Sequence, residues 1–109
     1  MDLAEDQMLV TIKDVIEKNQ IAVFMKGTPA RPKCGFSAAV VDILNKMNVP
    51  YVGVDAIEDP RFRHVLSAHT QWPTLPQVFV GGKLIGGCDI VRELKASGEF
   101  DRLVAEAMK

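Results

Sequence analysis

IAVFMKGTPARPKCGFS, residues 21–37, holds the transition on which the fold turns. Its first five residues form a short, unbroken apolar run, the pattern of a strand covered on both faces. KGTPARPK, residues 26–33, carries a glycine and two prolines and reads as a loop. A helix face begins just after Cys34, marked by Val40, Ile43, Leu44 and Met47. YVGV, residues 51–54, reads as a second strand. Strand, loop, helix, strand is a βαβ unit, so the two strands are expected to run parallel.

Upstream of this unit, Met8, Leu9, Ile12, Val15 and Ile16 follow helical spacing, with Asn19 as a stop. Downstream, Asp59 can cap a helix and Pro60 suits its first turn. Phe62, Val65, Leu66 and His69 are expected along one face of that helix. WPTLP, residues 72–76, breaks the pattern. Residues 77–80, Gly81-Gly82 and residues 83–85 then form a hairpin with a two-residue glycine turn. After Gly86-Gly87, Ile90, Val91 and Leu94 mark a short helix stopped near Ser97-Gly98. Phe100, Leu103, Val104 and Ala107 mark a last one. A βαβ half is thus followed by a helix and a ββα half. A small mixed sheet with helices on both faces is the natural packing. We expect a single α/β domain over residues 1–109, with an N-terminal helix in 1–19, a core in 21–99 and a C-terminal helix in 100–109.

The totals agree with one ordinary globular domain: 109 residues, 48% hydrophobic and 25% charged. A net charge of −1 provides no broad positive field, so nucleic acid is not an expected partner. The longest apolar run is far too short to span a bilayer, so no membrane is expected either. The opening MDLAEDQ is acidic and without arginine, unlike a transit or signal peptide. Two cysteines make no disulfide framework, which fits a reducing compartment.

Cys34 stands where a loop enters a helix. The first N–H groups of a helix lack internal partners and carry partial positive charge. Lys26 and Lys33 add cationic neighbours, and both features lower a cysteine pKa. The alternative, a small buried hydrophobe, fits poorly with a polar loop beside glycine. Ser37 occupies the place where a second cysteine would make a dithiol, and it can only hydrogen-bond the sulfur or help cap the helix. Two chemistries stay open for a thiol without a partner. An outside thiol resolves a mixed disulfide, or Cys34 is one of several thiolates on a soft metal or cluster. Cys88 is read as a buried structural thiol. It could resolve Cys34 only if their Cα atoms lie within about 7 Å.

Lys26-Gly27-Thr28-Pro29, Cys34-Gly35-Phe36-Ser37, residues 72–77 (WPTLPQ) and Gly86-Gly87-Cys88-Asp89, in this order, resemble the single-domain monothiol glutaredoxins of the CGFS type. The likeness runs from about residue 21 to 99. It implies a thioredoxin-like (glutaredoxin) fold with a four-stranded mixed sheet, glutathione binding, and a [2Fe–2S] cluster shared between two protomers. By this resemblance Lys26 and Arg63 hold the glycyl carboxylate of glutathione. Leu75, before a cis Pro76, pairs with the ligand's backbone as a short added strand. The N–H groups of Cys88 and Asp89 take the γ-glutamyl carboxylate, and the Asp89 carboxylate meets the ammonium. Cys34 is the reacting or ligating sulfur. Against these stand bland readings: Lys26 and Arg63 as solvated charges, Asp89 as a cap, Gly86-Gly87 as a turn. His64 and His69 are read as ordinary helix residues and Trp72 as a packing residue. Two positions depart from the family. Ser67 stands where a lysine is frequent, which removes one carboxylate anchor. Arg31 replaces an uncharged polar residue, and either compensates or admits a differently charged relative of glutathione.

The function implied is an iron–sulfur carrier. A [2Fe–2S] cluster is commonly held by four thiolates. Two would come from Cys34 of two protomers and two from glutathiones, so the cluster is labile. The expected partners are cluster assembly proteins, apoprotein recipients and BolA-like proteins, with a monomer when the cluster is absent. The alternative is a glutathione-dependent thiol–disulfide oxidoreductase acting through Cys34. By resemblance it is weak, and the stretch from Pro29 to Pro32 lengthens the loop before the cysteine, which would misplace the bound sulfur for exchange. A third reading, a module that only binds proteins, makes Cys34 incidental. The resemblance points to the mitochondrial matrix after removal of a leader, or otherwise to the cytoplasm.

Overall fold

Ile21–Met25 forms β1, and all five of its residues are buried. Alternation explains how. Ile21, Val23 and Met25 pack into one apolar cluster with Val40, Leu44, Val91 and Phe100. Ala22 and Phe24 point the other way, into a cluster with Ile12, Ile16, Val65 and Leu66. Successive strand residues face opposite sides, so a strand covered twice must be apolar throughout.

The computed structural model describes residues 2–109. Helix α1 (Leu3–Lys18) precedes β1 and is capped by Asp2, whose carboxylate accepts the Glu5 N–H at 2.8 Å. After β1 come β2 (Gly27–Thr28), β3 (Arg31–Pro32), α2 (Gly35–Met47), β4 (Val52–Asp55) and α3 (Pro60–Thr70). Then follow β5 (Gln77–Val80), β6 (Lys83–Gly86), α4 (Cys88–Ser97) and α5 (Glu99–Ala107). The main sheet has the order β4-β1-β5-β6. Strand β1 pairs parallel with β4, Phe24 opposite Val54, and antiparallel with β5, Phe24 opposite Gln77. Helices cover both faces, as the apolar pattern requires. This is the mixed four-stranded sheet expected from the sequence. Among the described residues no helix is long and apolar enough to cross a membrane.

Most local signals read correctly. Asp59 caps α3, with its carboxylate accepting the Arg61 N–H at 3.0 Å. Gly81 and Gly82 turn the β5–β6 hairpin at φ of 60° and 80°, which glycine adopts without a Cβ clash. The second strand begins one residue later than expected, leaving out Tyr51 and taking in Asp55. His69 is exposed rather than on the packed face of α3.

The larger correction is at residues 26–33. This loop folds into a two-stranded ribbon, β2 against β3, with Gly27 opposite Pro32 and Thr28 opposite Arg31. The Arg31 N–H donates to the Thr28 hydroxyl oxygen at 3.2 Å, and the Lys33 N–H donates to the Lys26 carbonyl at 2.8 Å. Gly27 has φ of 85°, and a Cβ there would lie 2.4 Å from the Arg31 carbonyl oxygen. Only glycine lets the two strands of the ribbon come together. The Asp55 carboxylate, at the end of β4, accepts the N–H groups of Gly27 at 3.2 Å and Ile57 at 3.0 Å, tying ribbon to sheet.

Candidate functional site

Cys34 is the N-cap residue of α2, with extended backbone, and its carbonyl accepts the Ala38 N–H at 3.0 Å. A cap side chain faces the free N–H groups of the second and third helical residues, here Phe36 and Ser37. Sulfur closes no capping hydrogen bond of ordinary geometry. The field of those groups still acts on it. The Ser37 N–H, foremost, holds the thiol pKa below its ordinary value, against an opposing desolvation. The Phe36 N–H, the Lys26 charge and the Ser37 hydroxyl add to the lowering. The sulfur is half-buried and in no disulfide. It is therefore a reachable thiol biased toward thiolate.

Ser37 is fully buried, and its oxygen accepts the Lys26 N–H at 3.1 Å. It pins the end of β1 to the start of α2 rather than capping the helix. Ser37→Ala leaves the Lys26 N–H without its partner, at a cost of about 1–3 kcal/mol. It also removes one donor from Cys34, so the midpoint of the thiol's alkylation rate against pH moves upward. Iodoacetamide kinetics across pH and a denaturant melt measure the two effects.

Beside this thiol a cleft of about 450 Å³ opens between the end of β1, α3, the 72–76 connection and the start of α4. Lys26 and Arg63 line it, with Leu75, Cys88 and Asp89. All five residues expected to bind a ligand thus meet in one place, although they come from four separate segments. Cys34 itself is not among the lining residues. Its neighbour Phe36 is, and its sulfur is close enough to Lys26 and Cys88 for charge to be felt. Cys88 is 5% exposed, and burial pushes its pKa up, in keeping with the buried thiol expected from the sequence.

The Leu75–Pro76 peptide bond is cis. Among the described residues, no backbone hydrogen bond occupies the Leu75 N–H or C=O. The first N–H groups of α4 follow Gly87, which provides no side-chain cap. A Cβ on Gly87 would stand 3.2 Å from the Pro76 carbonyl oxygen and 3.8 Å from Trp72 Nε1. The glycine therefore lets the start of α4 approach the 72–76 wall. Free main-chain groups on one side, two cations on another and a helix start on the third make a cleft suited to a short peptide with carboxylates at its ends.

Several lining residues were missed in the sequence. Trp72, expected to be a packing residue, forms part of the cleft wall, with its Nε1 buried and, among the described residues, without a protein partner. Phe36, Thr74 and Ile90 also line the cleft. Phe36 could have been found. A large apolar residue in the first turn of α2, beside a polar loop, has no core to enter, and it is 57% exposed. Trp72, Thr74 and Ile90 carry no local signal, because their exposure depends on how distant segments meet. Ser67 lines a separate hollow with His64 and Gln71, outside the main cleft. Arg31 is exposed on the ribbon.

The family model described as Glutaredoxin matches residues 21–85. Over 107 residues the chain is 41% identical to Probable monothiol glutaredoxin 2 of Rickettsia typhi, covering 98% of this chain and 96% of that protein. The chain belongs to the monothiol glutaredoxin family. This glutaredoxin is also 44% identical over 100 residues to Glutaredoxin 4 of Pasteurella multocida, with 92% of each chain covered. Its fold matches a crystal structure of a buckwheat glutaredoxin–glutathione complex with a TM-score of 0.85, at 24% identity over 98% of this chain and 96% of that one. The thioredoxin-like architecture expected from the sequence is the one found.

Proposed function

We propose that this glutaredoxin binds glutathione in the cleft beside Cys34 and, as a pair of protomers, carries a labile [2Fe–2S] cluster to apoproteins. The observation that carries the reading is a single reachable thiol, biased toward thiolate and in no disulfide, next to a cleft with a peptide's complement of contacts. Lys26 and Arg63 suit the glycyl carboxylate, the free main chain of Leu75 suits the ligand's backbone, and the N–H groups of Cys88 and Asp89 suit the γ-glutamyl carboxylate. The Asp89 carboxylate is exposed for the ammonium.

The cluster is cargo, and the donor set fits that role. One protomer offers one accessible thiolate, since Cys88 is buried and its pKa is raised. Among the described residues no group of three or more Cys, His, Asp or Glu is placed to hold a metal. The remaining thiolates come from a second Cys34 and from two glutathiones. Ligands that leave as small molecules make the cluster easy to pass on. Assembly proteins and recipient apoproteins are the partners this needs, with BolA-like proteins as co-partners and the mitochondrial matrix as the compartment.

The low-pKa thiol supports a second reading. The Cys34 thiolate attacks the glutathionyl sulfur of a mixed disulfide, that S–S bond breaks, and the substrate thiolate leaves with the electron pair. A second glutathione then attacks the Cys34 disulfide, freeing Cys34 and forming glutathione disulfide. Anaerobic reconstitution with iron, sulfide and glutathione separates the two. A brown dimer that reverts to a colourless monomer on losing its cluster is expected. A colourless monomer with rapid turnover on a small glutathione mixed disulfide would overturn the carrier in favour of the oxidoreductase.

A further inference from the structure

We propose that the β2–β3 ribbon and Phe36 form a docking face for an acidic, apolar segment of a protein that presents its own cysteine to Cys34. The inference rests on the proposed function for its partner, a recipient whose sulfur must come up to the Cys34 sulfur. It goes beyond that function by stating what the recipient's surface must look like.

The argument begins with charge. Residues 26–37 hold Lys26, Arg31 and Lys33 and no carboxylate, in a chain of net charge −1. Among the described residues six ion pairs neutralise cations elsewhere, among them Lys46 with Asp42 and Lys95 with Asp101. None of the six includes Lys26, Arg31, Lys33 or Arg63. The acid next to the ribbon, Asp55, already accepts two backbone N–H groups there. Lys26 and Lys33 also stand across the base of the ribbon from one another, joined through the Lys33 N–H and Lys26 carbonyl. Like charges placed opposite one another oppose strand pairing. The fold thus keeps an uncompensated positive group next to its reactive sulfur. Lys26 lines the ligand cleft, while Arg31 and Lys33 are exposed outside it. These two are free for a macromolecule when the cleft is filled.

Apolar surface completes the face. Phe36, two residues from Cys34, lines the cleft yet keeps more than half of its surface exposed, and among the described residues the other large exposed apolar side chains, Leu3 and Val10, lie on α1. An aromatic side chain amid unpaired cations complements a segment that carries an apolar side chain among carboxylates. Such charge matching chiefly raises the association rate and weakens with salt.

Two synthetic peptides test this. Each has one cysteine, held as a mixed disulfide with thionitrobenzoate, and leucines beside it; one is flanked by glutamates, the other by lysines. The Cys34 thiolate attacks the peptide sulfur, the S–S bond breaks, and coloured thionitrobenzoate leaves with the electron pair. Cys34→Ser protein measures the background. At low salt the glutamate peptide should react about tenfold faster than the lysine peptide, with the advantage shrinking as salt rises. The Arg31→Glu/Lys33→Glu protein should invert the order, and Arg31→Ala/Lys33→Ala should bring the two rates together. For each protein the peptide rates are divided by its rate with an uncharged aromatic disulfide, which removes any change in the intrinsic reactivity of Cys34, and calorimetry reads glutathione binding separately. Equal rates for the two peptides, or a glutamate preference that survives charge reversal, would overturn the docking face. A salt-sensitive dimer of the apo protein, abolished by charge reversal, would replace it with a second copy docking its acidic α1. Failure of glutathione to bind, with the peptide preference intact, would remove the proposed ligand and leave the docking face standing.

Discussion

Cys34→Ser protein, reconstituted anaerobically with iron, sulfide and glutathione, stays colourless and monomeric, whereas Cys88→Ser protein turns brown and pairs. The two cysteines differ in state rather than in kind. Cys34 is half-buried, at a helix start, with its pKa held down foremost by the Ser37 N–H. Cys88 is 5% exposed, with its pKa raised by burial. A ligating or attacking sulfur must be a thiolate, and only Cys34 is biased that way. In the proposed reading Cys88 meets the ligand through its backbone N–H, which serine retains. The apo protein has a matching signature. Below the ordinary thiol value of about 8.5, Cys34 should still react with iodoacetamide, because its pKa is held down. Under those conditions Cys34→Ser should lower alkylation more than about tenfold, and Cys88→Ser should leave it unchanged. The sign follows from the shift: a depressed pKa keeps the reactive form populated at lower pH. Brown protein from Cys34→Ser would break the link between this sulfur and the cargo.

Phe24→Ala is expected to have the largest effect on stability. Phe24 is fully buried in β1, paired between Val54 on β4 and Gln77 on β5. Its ring meets Phe79 edge to face, with centroids 5.7 Å apart, and lies 6.3 Å from Phe62. Truncation removes an aromatic side chain from a site held by two strands, where collapse is restricted, so the loss is about 3–5 kcal/mol. Against a domain stability of about 5–15 kcal/mol this is a large share. A melting temperature lower by more than about 10 °C follows. Calorimetry or a urea melt checks it; a loss below about 1 kcal/mol would mean that the cluster between the sheet and α1 and α3 repacks freely. The effect reaches the site, because β1 leads straight into Lys26, whose carbonyl and N–H hold Lys33 and Ser37.

The sequence was informative wherever a signal is local. Five apolar residues in a row gave β1, Asp59-Pro60 the start of α3, and Gly81-Gly82 the hairpin turn. Each depends on the φ, ψ or hydrogen-bonding needs of residues within a few positions. The ribbon at residues 26–33 was hidden because two prolines and a glycine look the same in an open loop as in a tight pair of strands. What closes it is the approach of the Arg31 carbonyl to the Cβ-free Gly27, a contact that no periodicity encodes. His69 was misplaced for a related reason: helical spacing identifies a face but not how far the neighbouring layer extends.

For the site, sequence alone determined that a solitary cysteine would begin a helix after a buried strand, and therefore that its thiol would be activated. The family resemblance pointed to Lys26, Arg63, Leu75, Cys88 and Asp89. Tertiary structure decided that these residues share one cleft and that Trp72 walls it. It also left Arg31 and Lys33 unpaired outside the cleft. The physical reason is the sheet order. Placing β1 between β4 and β5 brings the ends of chain segments more than ten residues apart to one edge, and contacts between such segments are set by packing rather than by the local chemistry of any one of them.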